Sequence, residues 1–226
     1  MELHETEERR ALRKAVSEIA KDFGHDYYVA KSLGGEKSSE LWQAVGKQGF
    51  LGVNIAEQYG GGGADLLTYC IVAAEIGRHC GATALTYNMH VCSTLWTGAL
   101  ADALSMTPEQ RAEHERYRKL HFARVVEQGK LYAQPFSEGS AAAAGKAPFG
   151  TLAAKVEGGW RVNGKKIFAS LAGAADYYGV LCTEDKPDRS LRDTLYLAIP
   201  ADAPGFSIVG DWDPLGMRGT VSRTLL

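Results

Sequence analysis

Long apolar runs are missing from this sequence, and so is any marked excess of charge of one sign. No stretch approaches the ~18 uninterrupted apolar residues that span a bilayer. The charged segment Met1–Arg10 lacks the apolar core of a secretory signal. The 25 basic residues nearly balance the 27 acidic ones, which gives no general electrostatic reason to bind nucleic acid or an acidic membrane. We therefore expect a cytoplasmic protein.

Cysteine is scarce and shows no pairing pattern. The four cysteines, Cys70, Cys80, Cys92 and Cys182, form no C-x-x-C pair and have no histidine at metal-ligand spacing. Three of them lie in apolar helical stretches, where a free thiol packs as a small hydrophobic group. We expect free cysteines rather than a disulfide or a zinc site.

The sequence also lacks the polar bias of disordered chains, because 45% of its 226 residues are hydrophobic and 23% are charged. Up to about residue 130, apolar residues recur at helical spacing, as Leu12, Val16 and Ile19 do. A capping box formed by Thr107 and Gln110 opens the last of the predicted helices. These helices cover residues 7–23, 39–48, 65–80, 84–104 and 108–128.

Beyond residue 130 the pattern is typical of strands and turns. In residues 151–156, Leu152, Ala154 and Val156 alternate with the residues between them, as in a strand. Gly158–Gly159 predicts a turn, and Asn163–Gly164 predicts a β-hairpin. Further strand-like runs cover 177–183, 194–200 and 206–209. The sequence therefore predicts an α+β fold with an antiparallel, β-barrel-like second part.

The change in pattern predicts two domains, an all-helical one over residues 1–130 and a β domain over residues 131–226. Residues 223–226 stop on apolar side chains without a terminating turn. We therefore expect the second domain to be incomplete at its C-terminal end.

Two motif-like segments are weak candidates for chemistry. The glycine-rich run Tyr59–Asp65 fits neither G-x-x-x-x-G-K-[ST] nor G-x-G-x-x-G, so a structural turn is the favoured interpretation. Pro135–Gly139 resembles a nucleophile elbow, which needs a histidine downstream. All six histidines precede it, so a hydrolase would need a histidine supplied after Leu226.

Three spaced segments resemble the acyl-CoA dehydrogenase family. Gly49–Gly61 is similar to the family stretch GllGi-x-x-PEEYGG, and Val162–Ser170 is similar to its lNGxKxWIT hairpin. Ala201–Gly205 followed by Leu215–Thr220 resembles a third family segment. The resemblance covers nearly the whole chain, and it implies the family's helical and middle β domains without the C-terminal four-helix bundle.

The resemblance implies an FAD-dependent oxidoreductase that removes hydrogen from the α and β carbons of an acyl-CoA thioester in lipid and fatty acid oxidation. The β-hydrogen leaves as hydride to flavin N5. An electron-transfer flavoprotein is the implied partner, and the implied assembly is a homo- or hetero-tetramer. Two alternatives remain open, a flavin monooxygenase of the same fold and a non-catalytic partner subunit.

The resemblance also places the cofactor and the substrate on particular residues. Ser140 falls on the family position that reaches the acyl-CoA. In a regular strand Phe168 and Ser170 would share one face, so a ring and a hydroxyl could meet a flat heteroaromatic group; an ordinary strand with one core Phe is the alternative. The residues implied to bind flavin are Gln134, Phe136, Ser137, Phe168, Ala169 and Ser170.

No catalytic base is predicted within these residues. In the family the catalytic glutamate comes from the C-terminal helical domain. Glu75 is spaced to pair with Arg78 on a helix, and Glu138 belongs to the implied cofactor loop. Further departures from the family pattern are Ala56 in place of a proline and a short loop after Glu138.

Overall fold

The computed structural model describes residues 5–139, 148–210 and 212–226, and its first half is helical. Thr6 caps the first helix through the Arg9 amide. The predicted capping box of Thr107 and Gln110 is present, with both of its hydrogen bonds. The helices are α1 (Glu7–Gly34), α2 (Ser39–Lys47), α3 (Leu66–Gly77), α4 (Gly81–Leu95) and α5 (Pro108–Val126).

Two helices differ from the sequence prediction. Helix α1 continues to Gly34 through a kink at Gly24, whose φ of 73° is accessible to glycine without strain. Helix α4 ends at Leu95, and the chain continues as one π-helical turn over Trp96–Leu100. Gly98 in that turn has φ −95° and ψ −108°, outside the helical region, which explains why a continuous α-helix to residue 104 does not form.

The second half forms two sheets. The strands are β1 (Tyr132–Ala133), β2 (Leu152–Val156), β3 (Gly159–Asn163), β4 (Lys166–Ala169), β5 (Tyr177–Glu184), β6 (Thr194–Pro200), β7 (Ile208–Val209) and β8 (Arg223–Leu225). In the first sheet, β5 pairs along its length with the antiparallel β6, β1 and β2 pair in parallel with the two ends of β5, and β3 pairs with β2. The second sheet has the order β4-β8-β7 and is antiparallel.

The prediction of a hairpin at Asn163–Gly164 is wrong. The tight hairpin lies one turn earlier, between β2 and β3, where Val156 pairs with Gly159. Asn163–Gly164 instead passes the chain from the first sheet to the second. Glycine is needed there because a Cβ on Gly164 would lie 2.5 Å from Oγ1 of Thr151.

The glycine-rich run packs against the segment that precedes it. The amide of Gly62 donates to the carbonyl of Gly52 at 3.0 Å, and that of Gly63 donates to the carbonyl of Ile55 at 2.8 Å. A Cβ on Gly61 would lie 2.2 Å from the Ile55 carbonyl oxygen. The run is therefore a structural turn whose backbone approaches its neighbours too closely for a side chain.

The fold is α+β, as predicted, and its apolar core runs from the helices into the strands. One cluster of buried side chains contains Val16 and Val72 from the helices together with Tyr178 and Leu225 from the strands. The division into domains at residue 130 stays a prediction.

The four cysteines are free, and all of them lie within the described residues 5–139, 148–210 and 212–226. Over these ranges no helix has both the length and the apolar character needed to cross a membrane. The same ranges hold no group of three or more His, Cys, Asp or Glu side chains placed to bind a metal ion.

Candidate functional site

The two segments predicted to bind flavin lie side by side. The chain leaves β1 at Ala133 and runs through Gln134–Ser137, while β4 brings Lys166–Ala169 alongside it. The amide of Ile167 donates to the carbonyl of Ser137 at 2.9 Å. Five of the predicted positions are therefore at this contact or only a few residues from it in sequence: Phe136, Ser137, Phe168, Ala169 and Ser170. Ser140 lies outside the described residues.

Phe168 has an unusual backbone and an exposed ring. Its φ is 55°, in the left-handed region, and 64% of the residue is exposed. The pairing of β4 with β8 shifts register between Lys166 and Ala169. This bulge interrupts the alternation of side chains between the two faces of the strand. The prediction that Phe168 and Ser170 share one face of a regular strand is therefore wrong. The Phe168 ring meets Trp212 edge-on, with centroids 6.1 Å apart.

Ser170 offers the candidate site a hydroxyl group, whereas Ala169 offers it main-chain groups. The Ser170 hydroxyl lies 2.9 Å from that of Ser222, which lies 2.8 Å from that of Thr220. Thr220 in turn donates to the carbonyl of Met217 at 2.9 Å. Ala169 is fully buried, so only its main chain is suited to contact a ligand. Ser170 thus stands at one end of a chain of hydroxyl groups.

The Phe136 ring belongs to an aromatic cluster. It meets Trp96 at 5.0 Å and Tyr196 at 6.2 Å between centroids, both edge-on. Tyr196 lies across Gly179, where a Cβ would be 2.0 Å from the phenol oxygen. Burial raises the pKa of Tyr196 to about 12, so the phenol stays neutral. Beside this cluster, the buried Nε2 of Gln134 has no acceptor within the described residues.

A buried ion pair supports the junction of the two segments. Lys166 Nζ donates to Glu138 at 2.7 Å and to the carbonyl of Leu181 at 2.6 Å. Glu138 also accepts from the amide of Gly150 at 2.7 Å and from both the amide and the hydroxyl of Thr151, at 3.0 and 2.6 Å. Burial raises the pKa of Glu138, but the donors outweigh burial and hold that pKa below its ordinary value. Glu138 is therefore an ionised, fully engaged carboxylate.

Sequence reasoning missed Lys166. The residue follows Lys165 directly, and composition and spacing do not say which of the two ammonium groups turns inward; only the family segment lNGxKxWIT, whose lysine falls on Lys166, distinguishes them. Only 3% of the Lys166 side chain is exposed, whereas Lys165 is exposed. The acidic partner was visible in the sequence, but the distance along the chain between Glu138 and Lys166 hides the pairing.

Glu75 is engaged elsewhere. Its carboxylate is 1% exposed, accepts from Arg13 in close contact, and lies 3.5 Å from Arg78. This confirms the predicted helical pair with Arg78 and adds a partner from α1. Neither Glu75 nor Glu138 has a free carboxylate oxygen pointing to the two flavin segments, so neither suits the role of catalytic base.

Two family profiles match the chain over most of its length. The profile described as acyl-CoA dehydrogenase, N-terminal domain, matches residues 6–114. The profile described as acyl-CoA dehydrogenase, middle domain, matches residues 136–226. The two matches follow the order of the helical and strand-rich parts of the fold.

Curated proteins of this kind resemble the chain in sequence. FadE12 of Mycobacterium tuberculosis strain H37Rv, an acyl-CoA dehydrogenase, is 32% identical over 204 residues, which cover 90% of this chain and 49% of that protein. Mitochondrial isovaleryl-CoA dehydrogenase of Arabidopsis thaliana is 29% identical over 213 residues, covering 92% and 48%. The chain thus spans about half the length of the curated relatives it matches.

Solved structures share the fold. Butyryl-CoA dehydrogenase from Megasphaera elsdenii superposes with a TM-score of 0.78 at 23% identity, over 100% of this chain and 57% of that one. FMN-bound TdsC from Paenibacillus sp. A11-2 superposes with a TM-score of 0.77 at 22% identity, over 95% of this chain and 50% of that one. TdsC is a dibenzothiophene monooxygenase. These similarities establish the fold.

Proposed function

The chain belongs to the acyl-CoA dehydrogenase family, and on that premise we propose that it forms the flavin-facing part of an FAD-dependent acyl-CoA dehydrogenase. The observation that carries the proposal is the meeting of Phe136–Ser137 with Phe168–Ser170 through the bond from the Ile167 amide to the Ser137 carbonyl. The family resemblance implies both segments from the sequence, in which they are far apart, and the fold brings them together.

The residues at this meeting fit a flat heteroaromatic group. Phe168 offers an exposed ring on a backbone conformation that its neighbours must hold in place. Ser137 and Ser170 offer hydroxyl groups, and Ala169 offers main-chain groups. A ring face beside several hydrogen-bonding groups is what a planar, polar-edged cofactor requires. FAD, when bound, supplies the acceptor for hydride, and this chain's residues hold and orient it.

Glu75 and Glu138 are both engaged in ion pairs, so neither suits the removal of the proton from the α carbon. We place the base for that proton in a further part of the protein, which the greater length of the relatives allows. The family resemblance further supports proposing an acyl-CoA substrate, fatty acid oxidation, an electron-transfer flavoprotein as partner and a tetramer. A cytoplasmic location is proposed separately from the family.

A flavin monooxygenase is the second candidate. It is favoured by one observation, the similarity of this fold to TdsC at a TM-score of 0.77. In that case the same residues would hold a reduced flavin for reaction with oxygen, and no base for an α-proton would be needed.

Anaerobic titration of the complete, purified protein with straight and branched acyl-CoA thioesters tests the proposal. Bleaching of the oxidised flavin band is expected with at least one thioester. Acetyl-CoA is the control, because it has no β carbon and must leave the band unchanged. A band that stays oxidised with every thioester would favour the monooxygenase, and a protein that holds no flavin would favour the non-catalytic subunit.

The placement of the cofactor is tested separately by Ser137→Ala with Ser170→Ala in the complete protein. Loss of both hydroxyl groups should weaken flavin retention, which is measured as the flavin that remains after dialysis. Ser105→Ala, at an exposed serine before α5, is the matched control and should retain flavin fully. Equal retention in the double variant and the control would contradict the placement.

A further inference from the structure

Lys166 is the least expected residue near the proposed flavin segments. A lysine side chain that is 97% removed from solvent needs partners for its charge and for its three donors. Here it has them: the carboxylate of Glu138 at 2.7 Å, the carbonyl of Leu181 at 2.6 Å, and the carbonyl of Phe136 at 3.4 Å. The ring of Phe149 lies beneath Nζ, 4.5 Å away at its centroid.

These contacts join β4 to the first sheet and add to the backbone bond from the Ile167 amide to the Ser137 carbonyl. Lys166 opens β4 in the second sheet, and Leu181 lies in the middle of β5 in the first. Phe136 and Glu138 flank Ser137, so Lys166 contacts the residue on each side of it. Two residues further along β4 the chain reaches Phe168, so one side chain links both flavin segments to the central strand.

The partners of Glu138 extend this link. Its carboxylate accepts from Gly150 and Thr151 as well as from Lys166, which fixes the start of β2 relative to the segment after β1. A charged pair this far from water is maintained by complete hydrogen bonding on both sides. Removing one partner alone would leave the other as an unpaired buried charge.

We propose that Lys166, paired with Glu138, is a positioning residue that, together with the backbone bond from Ile167 to Ser137, sets the separation of the segments Phe136–Ser137 and Phe168–Ser170 and thereby the fit of the flavin ring between them. The inference rests on the proposed function, since it takes that ring to be the ligand. Lys166 does not touch the reacting atoms; it acts through the main chain of Phe136 and through its own strand.

The test uses the complete, flavin-loaded protein and a double variant, Lys166→Met with Glu138→Gln, which removes both charges and leaves neither one buried alone. We expect the double variant to keep its circular dichroism spectrum, to bind FAD at least roughly tenfold more weakly, and to shift the visible band of the bound flavin. Lys165→Met is the matched control, because that neighbouring side chain is exposed, and it should bind FAD like the unmodified protein.

The outcomes separate this inference from the proposed function. Unchanged FAD affinity and an unchanged flavin band in a folded double variant would overturn the positioning role. A double variant that fails to fold even with excess FAD would overturn it as well, because the pair would then be required for the fold itself. If the unmodified protein and Lys165→Met also fail to bind FAD, the proposed function has failed.

Discussion

Phe168 combines a strained backbone with an exposed ring. A non-glycine residue in the left-handed region costs about 1–2 kcal/mol, and an aromatic side chain that is 64% exposed recovers little of that cost by burial. Strain of this kind persists where surrounding structure enforces it, and it clusters at sites that bind ligands. Here the register shift of β4 and the contact with Trp212 hold the residue.

We therefore expect Phe168→Gly to raise the free energy of unfolding of the flavin-free protein by about 1 kcal/mol, because glycine adopts this conformation freely. The same change should weaken flavin binding, because the ring is lost. Urea denaturation and flavin titration measure the two effects. Phe168→Leu is the control: it keeps the strained Cβ, so it should weaken flavin binding without raising stability. A gain in stability for both variants would contradict the explanation by strain.

The sequence indicates the individual flavin residues only through the family resemblance. Residue spacing by itself could place Phe168 no better than in a regular strand, and its positive φ depends on a bulge that forms against β8. Apart from the family segment lNGxKxWIT, whose lysine falls on Lys166, the sequence does not distinguish the buried Lys166 from the exposed Lys165. The contact of Phe168 with Trp212 depends on the tertiary fold, because the two residues are far apart along the chain.

Among the elements, α4 and β1 are joined through a buried histidine. His90 is completely buried; its Nδ1 accepts from the amide of Tyr132 at 3.0 Å, and its Nε2 lies 3.0 Å from the carbonyl of Leu51. This arrangement requires a neutral ring with its proton on Nε2. Burial lowers the pKa of His90 to about 4, although the two backbone contacts and Asp176 act in the opposite direction.

Stability should consequently fall in mild acid. The unfolded chain takes up a proton near pH 6.5, whereas the folded chain does so only near pH 4. The stabilising contribution is therefore complete above about pH 6.5 and is lost as the pH falls toward 4, for a total of about 3 kcal/mol. Urea denaturation between these pH values measures it.

His90→Gln should flatten that pH dependence, and His25→Gln, at an exposed residue, should leave it unchanged. Part of the slope will remain in His90→Gln. Burial also lowers the pKa of His121 to about 4, with Arg124 acting in the same direction, and His121 contacts the hydroxyl of Tyr132 at 2.8 Å. An unaltered slope in His90→Gln would contradict the assignment.

Most helices could be predicted because their signals are local. The capping box of α5 and the spacing of apolar residues in α1 depend on neighbours a turn away. The errors arise where distant contacts decide. Asn163–Gly164 has the composition of a hairpin turn, but Gly164 is required by the approach of Thr151. Likewise, the parallel pairing of β1 and β2 with β5 leaves no mark in the strands' own sequences.

A single apolar core joins the helices and the strands, and it determines how the whole molecule unfolds. Buried side chains of α1 and α3 belong to the same cluster as Tyr178 of β5, which is fully buried. A change in the strands should therefore be felt in the helices, although the family profiles divide the chain into two parts.

Tyr178→Ala should lower the free energy of unfolding by about 3–5 kcal/mol. Because the core is shared, amide hydrogen exchange measured in α3 and in β5 should accelerate together. Val156→Ala is the control: Val156 is 42% exposed at the end of β2, and its replacement should change exchange little. Faster exchange confined to β5 would show that the two halves unfold independently.

The contact between Gly179 and Tyr196 also constrains natural variation. A Cβ at position 179 and the phenol oxygen of residue 196 would occupy the same space, 2.0 Å apart. A relative with alanine or a larger residue in the first position must therefore carry a shorter side chain in the second, or point it elsewhere. The residue at position 179 thus limits the size of the residue at position 196, and the reverse also holds. The two positions together therefore indicate, from sequence alone, which relatives keep an aromatic ring over β5.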